Sequence, residues 1–98
     1  MTRSYKRIGA VKTAFEILEY LSIQHGLVNA KQIATELRMP YGTVMTHMAT
    51  LLDGGYVSQV GDGFKIGTRM SLFWLRMREM AESRRMTIEQ ALSVLGGI

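Results

Sequence analysis

No cysteine occurs anywhere in the 98 residues, so disulfides, thiolate metal sites and cysteine nucleophiles are excluded together. Histidine is almost as scarce: His25 and His47 are the only side chains that ordinarily titrate near neutral pH. No paired histidine and carboxylate stand at a useful spacing, and there is neither a phosphate-binding loop nor a metal-ligand cluster. An enzyme, a metal centre and a bound cofactor are therefore not expected. No run reaches the ~18 uninterrupted apolar residues of a membrane span, and the basic N-terminus leads into an amphipathic segment instead of a signal-peptide core. A cytoplasmic protein with no membrane partner is expected. Acidic residues are missing from the first twelve positions, which hold Arg3, Lys6, Arg7 and Lys12. There is a single proline, Pro40.

What is present describes one small globular unit. Hydrophobic residues make up 47% and charged ones 20%, which argues against a disordered chain. The length allows one modest core and no second domain of ordinary size. A formal charge of +4 favours an anionic partner without separating nucleic acid from lipid. Residues 1–8 form a basic arm, suited equally to a solvated tail and to contact with phosphate or a minor groove.

Apolar residues at helical spacing predict three helices in the first half. In the first, Val11, Ala14, Phe15, Leu18 and Leu21, flanked by Ile17 and Tyr20, are the expected core face. Gly26 stops it, and Leu27-Val28 is a link or a short edge strand. Asn29, followed three residues later by Gln32, is a capping-box variant that starts a second helix, with Val28 placed to staple against Ile33. Its core face is Ile33, Ala34 and Leu37. After only Met39 and Pro40 comes a third helix with Val44, Met48 and Leu51 on one buried edge. Its other edge carries Tyr41, Gly42, Thr43, Thr46, Ala49 and Thr50, slim groups with no long acidic side chain. Two short helices with so tight a joint form a helix-turn-helix signature.

Tyr56-Val57-Ser58-Gln59-Val60, a Gly61-Asp62-Gly63 turn and Phe64-Lys65-Ile66 predict a hairpin, the wing of a winged helix-turn-helix. Lys65 can reach phosphate, whereas Asp62 at the tip permits at best a shallow contact. Thr68 caps a helix over about residues 69–83, with Met70 and Phe73 expected in the core. Trp74, Met77, Met80 and Ala81 are left as an exposed stripe suited to a second copy. A capping box from Thr87 to Gln90 predicts a separate last helix, with Ile88, Leu92 and Leu95 on a greasy face that packs across the dimer. The expected fold is mainly α with a small β-hairpin: residues 9–67 a winged helix-turn-helix, residues 68–98 a C-terminal helical dimerisation segment.

At the residue level, positions 11–73 resemble, without a gap, the N-terminal DNA-binding domain of the IclR family of bacterial transcription regulators. Ala14-Phe15-Glu16-Ile17-Leu18-Glu19-Tyr20-Leu21 is similar to that family's first helix and Gln32-Ile33-Ala34-Thr35-Glu36-Leu37 to its second. Pro40, Thr43-Val44, Thr50-Leu51 and Gly55-Tyr56-Val57 stand where the family has the same residues in its recognition helix and first wing strand. Phe64-Lys65-Ile66-Gly67 resembles the closing wing strand. The resemblance implies a homodimer binding double-stranded DNA, with a recognition helix in the major groove and a role in transcription. Tyr41, Thr43 and Thr50 would supply hydroxyls to phosphate or bases, Met45 and Thr46 apolar contacts to thymine methyls, and Gly42 close approach. Arg3, Lys6, Arg7, Lys12, Lys31 and Lys65 would neutralise phosphate.

Departures from the family pattern matter as much. The family usually has a basic residue at position 41, serine at 42 and arginine at 46, where this chain has Tyr41, Gly42 and Thr46, so the sequence-reading arginine is missing. His47 replaces a half-buried aliphatic residue and is expected at the core edge. Arg38 replaces the usual turn glycine, at a cost on the order of 1 kcal/mol. The family's large effector-binding domain is not expected in this chain, so small-molecule sensing is not carried over from the resemblance. The alternative function is a winged-helix interaction module, an adaptor or anti-regulator with little base readout.

Overall fold

Helix α1 (Gly9–Ser22) is followed by the two-residue strand β1 (Val28–Asn29), then α2 (Ala30–Leu37) and α3 (Tyr41–Asp53). A hairpin of β2 (Val57–Val60) and β3 (Gly63–Ile66) leads into the long helix α4 (Thr68–Gly96). The computed structural model describes residues 4–96. It is a winged helix-turn-helix, mainly helical with a small antiparallel sheet, as the order of sequence patterns predicts.

The α2–α3 joint is built from local chemistry. Asn29 Oδ1 accepts the Gln32 N–H at 2.8 Å, satisfying one of the orphan donors of the first turn of α2. Arg38 ends α2 in the left-handed region at φ 55°, ψ 49°. There the Met39 N–H turns back to the Ala34 carbonyl at 2.9 Å, a Schellman-type closure that reverses the chain. Pro40, with φ −60°, caps α3 and its carbonyl accepts the Val44 N–H at 3.2 Å. The fixed proline φ thus sets the direction of α3 one residue before the helix begins.

The core lies between these helices and the sheet. Ile17, Ile33, Val44 and Met48 have no accessible surface, and Leu18, Leu21, Leu51, Val28, Val57 and Phe64 complete the cluster. The short edge strand falls one residue later than Leu27-Val28, at Val28-Asn29: Val28 stands opposite Phe64 and Asn29 opposite Gly63, giving the strand order β1-β3-β2. In the hairpin, Val60 pairs with Gly63 around Gly61-Asp62, and Gly61 supplies the positive φ of 61° that so short a turn needs. At Gly67 a side chain would press into the backbone of Gly55 and Tyr56, so the chain passes from β3 into α4 only because there is no Cβ.

Three expectations are corrected. Val11 and Phe15 are 48% and 59% exposed, and α1 meets the core through Ile17, Leu18 and Leu21. The apolar residues of α1 span more than one face, and the face that α2, α3 and β3 cover is centred on Ile17. Phe73 is 40% exposed and touches Tyr56 with ring centroids 6.0 Å apart, while Met70 alone is half-buried. Finally, α4 is one continuous helix with no restart at Met86. Nothing between Thr68 and Leu95 breaks a helix; Arg78–Glu82 (3.1 Å) pairs one turn apart ahead of the expected break and Arg85–Glu89 (3.2 Å) pairs across it. Thr87 Oγ1 donates to the Ser83 carbonyl at 2.9 Å, the bond of a hydroxyl inside a helix and not of a cap. From Ser71 to Leu95 every residue is exposed, so α4 leaves the body of the domain.

The strained turn predicts a stability change of definite sign. Arg38→Gly relieves the left-handed conformation and is expected to stabilise the domain by about 1 kcal/mol, whereas Arg38→Val destabilises it. Urea unfolding followed by circular dichroism measures both; a lower midpoint for Arg38→Gly would contradict the assignment of strain.

Candidate nucleic-acid interface

Because Val44, Met48 and Leu51 point inward, the opposite face of α3 is presented to solvent. Tyr41 is 56% and Met45 38% exposed, with Gly42, Thr46, Ala49 and Thr50 beside them. No side chain of another element covers these positions closely enough to bury them. Gly42 has open space where a Cβ would stand, so the start of α3 is a flat surface. Thr43 is half-buried at the edge, and its carbonyl faces His47 Nδ1 at 2.7 Å. A carbonyl can only accept, so this nitrogen carries the proton. His47 is thereby a half-buried residue turned onto its own helix, in line with its expected place at the core edge.

The threonines differ from free hydroxyl donors. Thr46 Oγ1 donates to the Gly42 carbonyl at 2.9 Å, and Thr50 Oγ1 to the Thr46 carbonyl at 3.4 Å. Their protons are engaged within the helix, while the oxygens retain acceptor capacity. A hydroxyl aimed at phosphate has to rotate away from these bonds, and the long contact at Thr50 is the easier to give up.

The cations lie on other elements. Lys6 and Arg7 are exposed ahead of α1, with Arg7 Nη1 donating to the Tyr5 carbonyl at 3.5 Å. Lys12 stands 3.9 Å from Glu16 across one turn of α1, an exposed pair that holds the amine only weakly. Lys31 is exposed in the first turn of α2, and Lys65 is exposed on β3 opposite Ser58. Arg3 lies outside the described residues. The fold thus gathers Tyr41, Gly42, Met45, Thr46 and Thr50 on one face, with Thr43 at its margin, and carries these lysines and Arg7 on the lead-in to α1, on α1, on α2 and on β3. Trp74, Met77, Met80, Ala81, Ile88, Leu92 and Leu95 are all exposed along α4.

One structural residue escapes sequence reasoning. Arg69 Nε donates to the Gly54 carbonyl at 2.8 Å, and its guanidinium stands 5.7 Å from the Tyr56 ring centroid. Its backbone N–H reaches the Gly55 carbonyl at 3.1 Å. The first turn of α4 is thereby clipped to the exit of α3, fifteen residues back in the chain. No local spacing announces such a bond. Among the described residues no group of three or more His, Asp or Glu side chains is placed to hold a metal ion, and no helix is long and apolar enough to cross a membrane.

Comparison with known proteins agrees with this architecture. Residues 10–61 match the model of the IclR helix-turn-helix domain. Over 58 residues the chain is 38% identical to a probable HTH-type transcriptional regulator ArcR of Halobacterium salinarum, an alignment covering 59% of this chain and 22% of that protein. The fold is similar to that in the crystal structure of Pseudomonas aeruginosa HmgR, with a TM-score of 0.71 at 16% identity over 76% of this chain and 33% of the other. The chain thus spans about a fifth of the curated relative's length and a third of the solved one's.

The arginine clip is testable without any ligand. Arg69→Ala removes a charge-assisted hydrogen bond and a ring contact, and is expected to lower unfolding stability by about 1 kcal/mol. An unchanged urea midpoint would show that the clip contributes nothing to holding α4.

Proposed function

Since the chain belongs to the IclR helix-turn-helix domain family, we propose that it binds double-stranded DNA as a homodimer and regulates transcription. In this reading residues 1–8 are a basic arm, residues 9–67 the DNA-binding unit and residues 68–98 the dimerisation segment. The observation that carries it is the outer face of α3: small, exposed, free of acidic side chains over Tyr41 to Thr50, and fixed in direction by a completely buried inner edge. A helix of this width fits the major groove, where Met45 and Thr46 offer methyl groups to thymine and Gly42 allows close approach. Tyr41, Thr43 and Thr50 donate their hydroxyls to phosphate or base edges, Thr50 by giving up its long bond to the Thr46 carbonyl. Arg3, Lys6, Arg7, Lys12, Lys31 and Lys65 supply affinity by releasing counterions, with sequence-dependent DNA shape adding discrimination. Two such units bind half-sites about one helical turn apart.

One observation favours a second reading. The exposed face of α3 carries no basic side chain, so direct readout of guanine by a forked donor is missing. A winged-helix adaptor or anti-regulator that works through protein contacts has no need of one.

Fluorescence anisotropy with duplex DNA over a salt series separates the two. DNA binding predicts a steep fall of affinity with salt, the logarithmic slope losing about 0.9 for each phosphate contact removed. Lys6→Ala, Arg7→Ala and Lys12→Ala together therefore flatten the slope and weaken binding to all duplexes alike. Absence of binding at low salt, or affinity indifferent to salt, leaves the adaptor reading.

A further inference from the structure

Between α1 and the start of α4 runs an open apolar groove of about 740 Å³, lined by Phe15, Leu18, Tyr56, Met70, Phe73 and Trp74 among others. Beyond it α4 continues through Gly96 with no other element against it. We propose that the occupant of this groove is the C-terminal end of α4 from a second copy, the two α4 helices pairing antiparallel. The inference rests on the homodimer reading and adds to it the direction and register of the pair.

The register follows from the side chains that a continuous helix brings to one stripe. Steps of three and four place Met70, Trp74, Met77, Ala81, Arg84, Ile88, Ala91 and Leu95 on a single seam. Trp74, Ala81, Ile88 and Leu95 repeat every seven residues, and so do Met70, Met77, Arg84 and Ala91. In a parallel pair each residue faces its own copy. Trp74 then meets Trp74, Arg84 meets Arg84, and Ala81 and Ala91 each face another alanine. That arrangement crowds one layer, leaves two layers hollow and buries like charges together.

Antiparallel pairing reverses every one of these mismatches in one register. Trp74 faces the partner's Ala91, Arg84 faces the partner's Ala81, Met77 faces the partner's Ile88 and Met70 faces the partner's Leu95. Each oversized side chain is matched to a small one, the volume complementarity that close packing requires. The aliphatic stem of Arg84 crosses the small Ala81 and leaves its guanidinium at the edge of the seam. On one flank Arg78 and the partner's Arg85 come near each other. Each already holds a carboxylate of its own helix, Glu82 at 3.1 Å and Glu89 at 3.2 Å, so two neutral pairs meet instead of two bare cations.

The same register also fills the groove. With Leu95 of the partner over Met70 and its Ala91 over Trp74, the last apolar turn of the partner helix lies across the exposed rings of Phe73 and Trp74, beside Phe15. The two Met70 side chains, in the first turn of α4, then stand roughly 38 Å apart along the pair.

The natural absence of cysteine makes the test clean. Met77→Cys and Ile88→Cys are prepared separately, one carrying a mass tag; both positions are largely exposed in the single chain, at 69% and 59%, so the domain folds without them. Under mild oxidation the antiparallel register predicts disulfide-linked pairs only when the two variants are mixed, because like positions lie eleven residues apart along the seam, roughly 16 Å. A disulfide dimer formed by either variant alone indicates a parallel pair and overturns the proposal. So does a dimer by light scattering that yields no disulfide in the mixture. A wild-type chain that is monomeric by light scattering, up to the concentrations used for cross-linking, overturns the homodimer reading itself.

Discussion

The inner edge of α3 is the constraint on which the structure depends. Val44 and Met48 have no accessible surface and Leu51 almost none, and they pack into one cluster with Ile17 of α1 and Ile33 of α2. Rotating α3 by one residue would carry these side chains about 100° out of the core, at a cost of roughly 1.5–3 kcal/mol for each large apolar side chain exposed. The outer face is therefore as rigidly directed as the inner one is buried. In the proposed complex this is what the domain contributes: a probe whose bearing is set before any ligand arrives.

The elements around α3 follow from that requirement. The left-handed Arg38 and the Met39 hydrogen bond turn the chain sharply enough for α2 and α3 to share the cluster, and the strain at Arg38 is offset by the packing it permits. Edge strand β1 and the hairpin close the cluster through Val28, Phe64 and Val57, while Gly67 lets the chain graze the backbone at Gly55 and Tyr56. Arg69 then clips α4 to the end of α3, so the direction in which the long helix leaves is coupled to the helix proposed to read DNA. Under the homodimer reading, that coupling is what relates the separation of two recognition helices to the pairing of two α4 helices.

Charge and shape divide the work in the proposed complex. The exposed face of α3 is nearly neutral and small, suited to close approach and methyl contacts, whereas the cations stand on α1 and its lead-in, on α2 and on β3. Thr46 and Thr50 turn their protons onto their own helix, which tempers the idea of free hydroxyl donors and leaves oxygen acceptors and methyl groups as what that stretch offers. Affinity from the periphery and modest discrimination from the centre is the balance such a surface supports.

Much of this was legible in the sequence because its causes are local. The Asn29 cap, the Pro40 start, the buried edge Val44-Met48-Leu51 and the Gly61 turn all follow from steric and hydrogen-bonding preferences within a few residues, whereas the positive φ at Arg38 runs against such preferences and was suggested only by the resemblance to a family with glycine there. The resemblance to the IclR helix-turn-helix domain rested on the same stretches, and residues 10–61 match that family. Which face of α1 is buried was not legible, since its apolar residues satisfy two phases and only contact with α2, α3 and β3 selects Ile17 over Phe15. Nor was the continuity of α4, where a capping-box pattern at Thr87 competed with uninterrupted helix formers and lost, because a hydroxyl can serve a helix interior as readily as its start. Nor was the Arg69 clip, a bond between residues fifteen apart. Sequence by itself determined the elements, the caps and the outward face of α3; tertiary structure alone decided which of two apolar faces is covered and where α4 departs, because burial depends on neighbours that no local pattern contains.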